Sequence, residues 1–273
     1  MANSTKAVLH VANGYLADFD QFARLLHTVC LAQMTPITSD MVGASGVTDK
    51  KAKYIISLAV AFDLILPTTL ALSAFGRVVE EHDNFLDDVG TLWMMHYIVS
   101  SNPRNLVWNR LVNSIFPSTE RFDVPQLLMK FPDLEGQYAQ KSLRGHLQKE
   151  INTVLDAYIN QHLSRLAYLR CENEIYRFGY REPVPIPILA ASITRFRDQH
   201  QTGNTAVSVR DLISAPNSPG VVFQMHEDTL RAGLEQLRHG YGFSLEARAD
   251  LDQLRFAQDI PEHVRMEHYY ASR

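Results

Sequence analysis

Between residues 80 and 96 the chain places Glu80, Glu81, His82, Asp83, Asp87 and Asp88 ahead of His96, its densest run of chemistry-bearing side chains. Carboxylates beside a histidine can hold a hard divalent cation, and such a cation activates water against a phosphodiester. The spacing, HDxxxDD, lacks the pairing of two ligands on one helix face that a metal motif such as HExxH supplies. Asp87 and Asp88 also stand immediately before a helical pattern. There a carboxylate caps open amides and complements the helix dipole, which is the stronger reading of the pair. His96 falls among Trp93, Met94, Met95, Tyr97 and Trp108, which read as packed aromatic core. It is therefore expected at the core edge, bonded to one of those carboxylates or to backbone. No Ser-His-Asp or Cys-His order comes with a supporting motif, and neither GxxxxGK[ST] nor GxGxxG occurs. Cys30 follows an apolar helix face and reads as buried.

A second set of candidates is basic. Lys50, Lys51, Lys53 and Tyr54 open the segment DKKAKYIISLAVAFDLIL. Lysines there can meet phosphates, and Tyr54 can donate a hydrogen bond or pack on a sugar. Lys141, Arg144 and Lys149, with Arg165 and Arg170, fall on the outer side of a later amphipathic stretch. Most such charges are solvated helix faces, and a nucleic-acid patch is the alternative.

The elements that must position these residues fall into three regions. In the first, 1–79, Phe19 to Gln33 has helical spacing, SDMVGAS makes a short second helix capped by Thr38 or Ser39, and Gly46 breaks it. A third helix begins after Thr48, and TTLALSAFGRVV beyond Pro67 supplies a short strand and a helix start. That order predicts a winged helix-turn-helix, with the lysines at the start of its recognition helix. The second region, 80–182, reads as helical throughout. One helix spans Val89 to Ser101, and a long one runs from about Leu134 to Arg170 along a stripe of Leu143, Leu147, Ile151, Leu155, Tyr158, Ile159, Leu163 and Leu166. EPVPIPILA, with three prolines in five residues, forbids a regular helix and marks a boundary. The third region, 183–273, has a helix VRDLIS capped by Ser208, a turn at APNSPG, the helix HEDTLRAGLEQLRHG stopped by Gly240, and FSLEARADLDQLRFA as two short strands or a strand and a turn. It reads as a second winged-helix-like α+β module, whose Glu227, Asp228 and Glu235 suit partner contact better than phosphates. The fold class expected is mainly α.

Composition narrows the classes. Of the 273 residues, 46% are hydrophobic and 21% charged, a globular balance rather than that of a disordered chain. No apolar run reaches the roughly 18 to 20 residues that span a bilayer, and MANSTKAVLH lacks the apolar core of a signal peptide. Two distant cysteines make no disulfide framework, so a reducing cytosol is the simplest home. The net charge of −4 is unevenly spread: +1 over residues 1–60, −5 over 61–100, +3 over 101–200 and −3 over 201–273. Phosphate affinity is mostly electrostatic, so DNA binding must use local patches, a homodimer or a more basic partner.

At NFLDDVGTLWMMHYIVSSNP, followed by VWNRLVN, the sequence resembles a bacterial family of unknown function found with DNA phosphorothioation and phage-defence gene clusters, to which the SspB-like proteins belong. The shared pattern is Asp87, Asp88, Gly90, Thr91, Leu92, Trp93 and His96. The helix-turn-helix before it and SPGVVFQMHEDTL after it are also similar, extending the likeness over residues 38–256; the N-terminal 30 residues have no counterpart. The resemblance implies a DNA-binding component of a modification or defence system, working with proteins of the same operon and possessing DNA nicking in its SspB-like members. No nicking residue maps by motif. If nicking occurs, the candidates are Asp83, Asp87, Asp88 and His96, with Asp87 and Asp88 holding Mg or Mn and His96 orienting or protonating. The alternatives are a non-enzymatic assembly subunit and a transcription regulator, the latter requiring a dimer.

Overall fold

The computed structural model describes residues 9, 11–31, 43, 49–134, 140–248 and 251–273. The fold is mainly helical, with two three-stranded antiparallel sheets among the described residues, and it divides into two compact units, Met1–Glu182 and Pro183–Arg273.

In the first unit α1 (Phe19–Leu31) and α2 (Asp49–Ala61) precede α3 (Ala74–His82) and α4 (Val89–Ser101). Every residue of α4 from Gly90 to Ser101 is buried. That is the fate of a helix apolar on all sides. Its ends therefore cannot rely on water. At the N-terminus the Asp88 side chain accepts from Thr91 N at 3.0 Å. At the C-terminus three asparagine amides donate to its last carbonyls: Asn105 Nδ2 to Val99 O at 3.1 Å, Asn109 Nδ2 to Ser100 O at 2.7 Å and Asn113 Nδ2 to Ser100 O at 2.9 Å. Those asparagines lie on and around α5 (Leu106–Arg110), which passes into a π-helical turn.

The long helix α7 (Gln140–Ile159) follows β1 (Arg121–Phe122) and the short α6 (Val124–Leu128). It brings Tyr158 against α4. The Tyr158 hydroxyl lies 2.6 Å from His96 Nδ1 and accepts from Trp108 Nε1 at 3.0 Å. Burial pushes its phenol far above the ordinary value, so it stays a neutral donor. His96 is fully buried, edge-on to Trp93 and beside Tyr168. The expectation for His96 names a carboxylate or backbone partner; the hydroxyl it meets is that of Tyr158, which the stripe on α7 delivers from 62 residues away.

Several expectations change here. The long helix stops at Ile159 rather than near Arg170: Asp156 draws in the side chains of Asn160 and Gln161 at 2.7 and 3.0 Å, and Ala167 adopts a left-handed φ of 46°. β2 (Leu169–Glu172) and β3 (Ile175–Phe178) then form a hairpin with both turn residues, Asn173 and Glu174, at positive φ. This is the chemistry of a tight two-residue turn, and with β1 it makes a sheet ordered β1-β3-β2 in a region whose pattern suggests helix alone. Cys30 is exposed, one residue off the buried stripe Phe22, Leu25, Leu26, Val29. After α2 the stretch expected as a strand holds a single antiparallel bridge, Ile65 with Leu72. The short second helix predicted at 38–46 lies outside the described residues except for Gly43.

The second unit opens with α8 (Ile186–His200), where the prolines argue against a helix. Pro187 occupies its first turn, where amides have no intrahelical acceptor to lose. Then come β4 (Ala206–Ser208), α9 (Val209–Ser214) capped by Ser208, α10 (Pro219–Val222), α11 (Glu227–Leu237), the hairpin β5 (Phe243–Arg248) and β6 (Leu251–Phe256), and α12 (Glu262–Ala271). The sheet order is β4-β6-β5. Arg265, 2% exposed, donates from Nη1 to Tyr241 O at 2.7 Å and lies 4.3 Å from the Phe243 ring centre; burial, aided by Arg197, lowers its pKa to about 10.

Removing the Tyr158 hydroxyl by Tyr158→Phe takes one hydrogen bond from each of two buried ring nitrogens. We expect a loss of about 1–3 kcal/mol in unfolding free energy by urea titration. A change near zero would show that this hydroxyl does not bind α7 to α4.

Candidate functional site

The acidic run resolves into a structural turn with one exposed edge. Ser73 caps α3 by accepting from Gly76 N at 2.8 Å. Gly76 itself is required, because a Cβ there would overlap the Leu64 carbonyl. Beyond the helix, the largely buried Asp83 accepts from Asp87 N at 2.9 Å and Asp88 N at 3.0 Å, and Leu86 turns left-handed at φ 58°. Burial raises the Asp83 carboxyl above its ordinary value, against the lowering pull of the Asp87 amide and the Thr91 hydroxyl. The turn leaves Asn84 and Phe85 facing out, with Phe85 70% exposed.

Of the four residues grouped for chemistry, Asp83, Asp87 and Asp88 stay together and His96 does not join them. The histidine found at Asp87 is His162. Its Nδ1 lies 2.9 Å from Leu86 O and 3.6 Å from Asp87 Oδ1, its Nε2 lies 3.6 Å from Asp20 Oδ1, and its ring stacks on Phe19 at 5.1 Å. The short contact to a carbonyl makes Nδ1 the protonated nitrogen. Asp87 also pairs with Arg165, whose Nη2 is 2.8 Å from Oδ1 and whose Nη1 donates to Asp87 O at 3.0 Å. Asp20 is 74% exposed at its side chain. Together with Ala23, Arg24 and His27 of α1 and with Asn84 and Phe85, it lines a cleft of about 350 Å³.

The residues do not fit the divalent site expected of Asp87 and Asp88. Asp88 is turned into the helix as a cap, both Asp83 oxygens accept amides, and Asp87 is held by a guanidinium. Among the described residues no three His, Cys, Asp or Glu side chains gather closely enough to hold a metal ion.

The basic candidates divide. Lys51 Nζ lies 3.5 Å from Asp18 Oδ2, so its charge is met within the protein. Lys53 is exposed, its Nζ 4.7 Å from the Tyr54 ring centre. Tyr54 stacks on Tyr15 at 4.7 Å, and its hydroxyl accepts from Asn13 Nδ2 at 2.7 Å. Lys149 joins them from α7, its aliphatic stem 3.1 Å from where a Gly14 Cβ would sit. Lys53, the Asn13 hydrogen bond and Lys149 together lower the Tyr54 pKa. Arg144 is exposed on the same helix. Lys50 and Lys141 belong to α2 and α7, but their side chains lie outside the described residues.

The segment carrying Asn13 and Tyr15 is anchored by Glu150, a buried carboxylate accepting from Ala12 N at 3.1 Å and Asn13 N at 2.5 Å, and by Thr153 Oγ1, which donates to Tyr15 O at 3.1 Å. No local motif marks Asp20, Tyr15 or His162, because their partners lie in distant segments. Glu150 alone carries a signal, as a carboxylate inside an apolar helical stripe.

A family described as "Protein of unknown function (DUF4007)" matches residues 44–270. The chain belongs to DUF4007. This DUF4007 protein is also similar in fold to two solved structures. One is magnesium ion-bound SspB, at 16% identity and TM-score 0.73 over 94% of this chain and 88% of that one. The other is a further SspB crystal structure, at 15% identity and TM-score 0.68 over 94% and 87%. No curated protein matches it. α1, which supplies four of the cleft residues, precedes the segment matched to the family.

Burial raises the Glu150 pKa above the usual carboxyl value of 4.5, so between 4.5 and the folded value the folded state binds more protons than the unfolded. That contribution to stability is present at acid pH and lost as pH rises through the window. Relative to Glu150→Gln, the wild type should therefore lose unfolding free energy as pH rises across it. Parallel stability curves in chemical denaturation at stepped pH would contradict this.

Proposed function

We propose that this DUF4007 protein is a DNA-contacting component of a bacterial DNA-modification (phosphorothioation) or phage-defence system. The observation that carries the reading is the convergence of Lys53, Tyr54 and Lys149 from two helices on one solvent-facing patch. Two ammonium groups beside a hydroxyl with lowered pKa suit phosphate oxygens, and a local patch is what a chain of net charge −4 needs. The fold likeness to SspB supports placing the protein in such a system, beside products of the same operon, with homodimer formation as a further means of adding basic surface.

The second unit has the order helix, strand, helices, hairpin, with its first strand paired to its last, which supports a winged-helix reading of that unit. Its α11 carries Arg231 paired to Glu227 at 2.8 Å and Asp252 at 2.7 Å, and Arg238, the residue that ends it, pairs with Glu235 at 2.8 Å. Cations already met in this way favour contact with a protein partner over contact with phosphates. Nicking, which the family resemblance implies, is best sought at Asp87 with His162, where a carboxylate, an imidazole and a guanidinium meet at a solvent-reached edge.

Fluorescence anisotropy of labelled duplex DNA at low salt tests the contact. We expect binding that weakens steeply with salt, and Lys53→Glu with Lys149→Glu to cut affinity at least tenfold and flatten the salt slope by about 2, one for each phosphate no longer neutralised. No binding by the wild type, alone or with its neighbours' gene products, removes the reading. Relaxation of supercoiled plasmid, with and without added magnesium or manganese, tests nicking separately: we expect Asp87→Ala and His162→Ala each to reduce it by more than tenfold. Equal relaxation by wild type and both variants excludes this pair.

A further inference from the structure

We infer that the cleft between α1 and the 83–88 turn seats an unstacked nucleobase bearing an exocyclic amino group. This inference rests on the DNA-contact reading and deepens it. The volume of about 350 Å³ is at the small end for ligand pockets, the scale of a base rather than a helix or a peptide. Its walls divide the recognition among different chemistries. Phe85 presents an aromatic face held out to solvent, and stacking on such a face is how proteins grip extruded bases. Asn84 offers an amide donor and acceptor side by side, the pairing that matches adenine. Asp20 offers an acceptor for an exocyclic amine, as carboxylates do for cytosine.

The charge of the lining is mixed, with Arg24 and His27 of α1 set against Asp20 at the rim, so a neutral ligand carrying both donors and acceptors suits the cleft. The phosphates have their own place at Lys53 and Lys149. The start of α1 reaches toward both: Asp18 meets Lys51 of α2, the helix that also bears Lys53 and Tyr54, and Asp20 lines the cleft. The platform is also rigid where it must be, because Asp83 fixes the turn that carries Asn84 and Phe85.

The test uses the full chain and oligonucleotides, single-stranded and duplex, that carry one 2-aminopurine and an end label. The end label's anisotropy reports binding, and the 2-aminopurine emission reports unstacking of that base. Expected is a several-fold rise in emission on binding that is lost in Phe85→Ala and reduced in Asn84→Ala. The base-dependent part of the affinity should weaken roughly fivefold to a hundredfold, the range for removing one aromatic platform. Both side chains are exposed, so neither variant threatens folding. Anisotropy that rises while emission stays flat at every labelled position overturns the seat and leaves the DNA contact standing. If the end label reports no binding, the DNA-contact reading has failed, and a titration of free 2-aminopurine deoxyriboside decides the rest. Binding lost in Phe85→Ala supports a seat for free nucleosides, and absence of binding overturns it.

Discussion

Helix Val89–Ser101 is buried on every side, and most of the first unit answers to that fact. A helix in water leaves its terminal amides and carbonyls to the solvent, whereas this one must find partners inside the protein. Three asparagines grouped within nine residues supply the carbonyl end, and Asp88 supplies the amide end. Asp83 then fixes the turn that delivers Asp88 to its place. A consequence of that turn is that Asn84 and Phe85 project outward and Asp87 stands at the edge. The exposed groups of the cleft are thus displayed by a device whose first task is to end a buried helix.

The same constraint reaches the basic patch through α7. Tyr158 ties that helix to α4 and α5 by one hydroxyl shared between His96 and Trp108. Eight residues earlier, Glu150 holds the amides of Ala12 and Asn13, and Asn13 in turn donates to Tyr54. A chain of hydrogen bonds therefore runs from the core helix to the stacked tyrosines and the lysines around them. Glu150 gives up hydration to serve as this anchor, which is why its carboxyl is pushed upward. Buried charge of this kind stabilises little in net terms but leaves few alternatives for the segment it binds.

What can be read from the residues follows the range of the interactions. Asp88 before an apolar run, Ser208 before VRDLIS, and Gly240, with φ 87°, after α11 are local signals, and each stands where its type predicts. The strands Phe243–Arg248 and Leu251–Phe256 realise one of the two readings, two strands or a strand and a turn, that their short-range pattern allows. The hairpin 169–178 is hidden because Leu163 and Leu166 prolong the helical spacing past Ile159, and because Asn-Glu is a weaker turn signal than Asn-Gly. α8 is hidden when its prolines are counted without asking which turn they occupy. His162 cannot be found at all, since it lies 76 residues from the Leu86 carbonyl it binds. His96 misleads for the same reason: it follows the acidic pair closely along the chain, but its position in a helix buried on every side places it in the core.

These assignments change what the acidic run can be asked to do. A magnesium site needs several oxygens free to converge, whereas here backbone amides and a guanidinium already claim the carboxylates. Of the six carboxylates between residues 61 and 100, Asp83 fixes a turn, Asp88 caps a helix and Asp87 pairs with Arg165. What faces solvent beside them is mixed rather than acidic: Asp20, Arg24, His27, Asn84 and Phe85. A surface of that composition repels a polyanion less than the sequence charge suggests, and it has the donors, acceptors and aromatic face that a base requires. The two surfaces are complementary in kind, the lysines suited to what every nucleotide shares and the cleft to what distinguishes one from another. On the proposed reading, that division lets a chain of net charge −4 contact DNA, because the attraction needs to act only where the backbone lies.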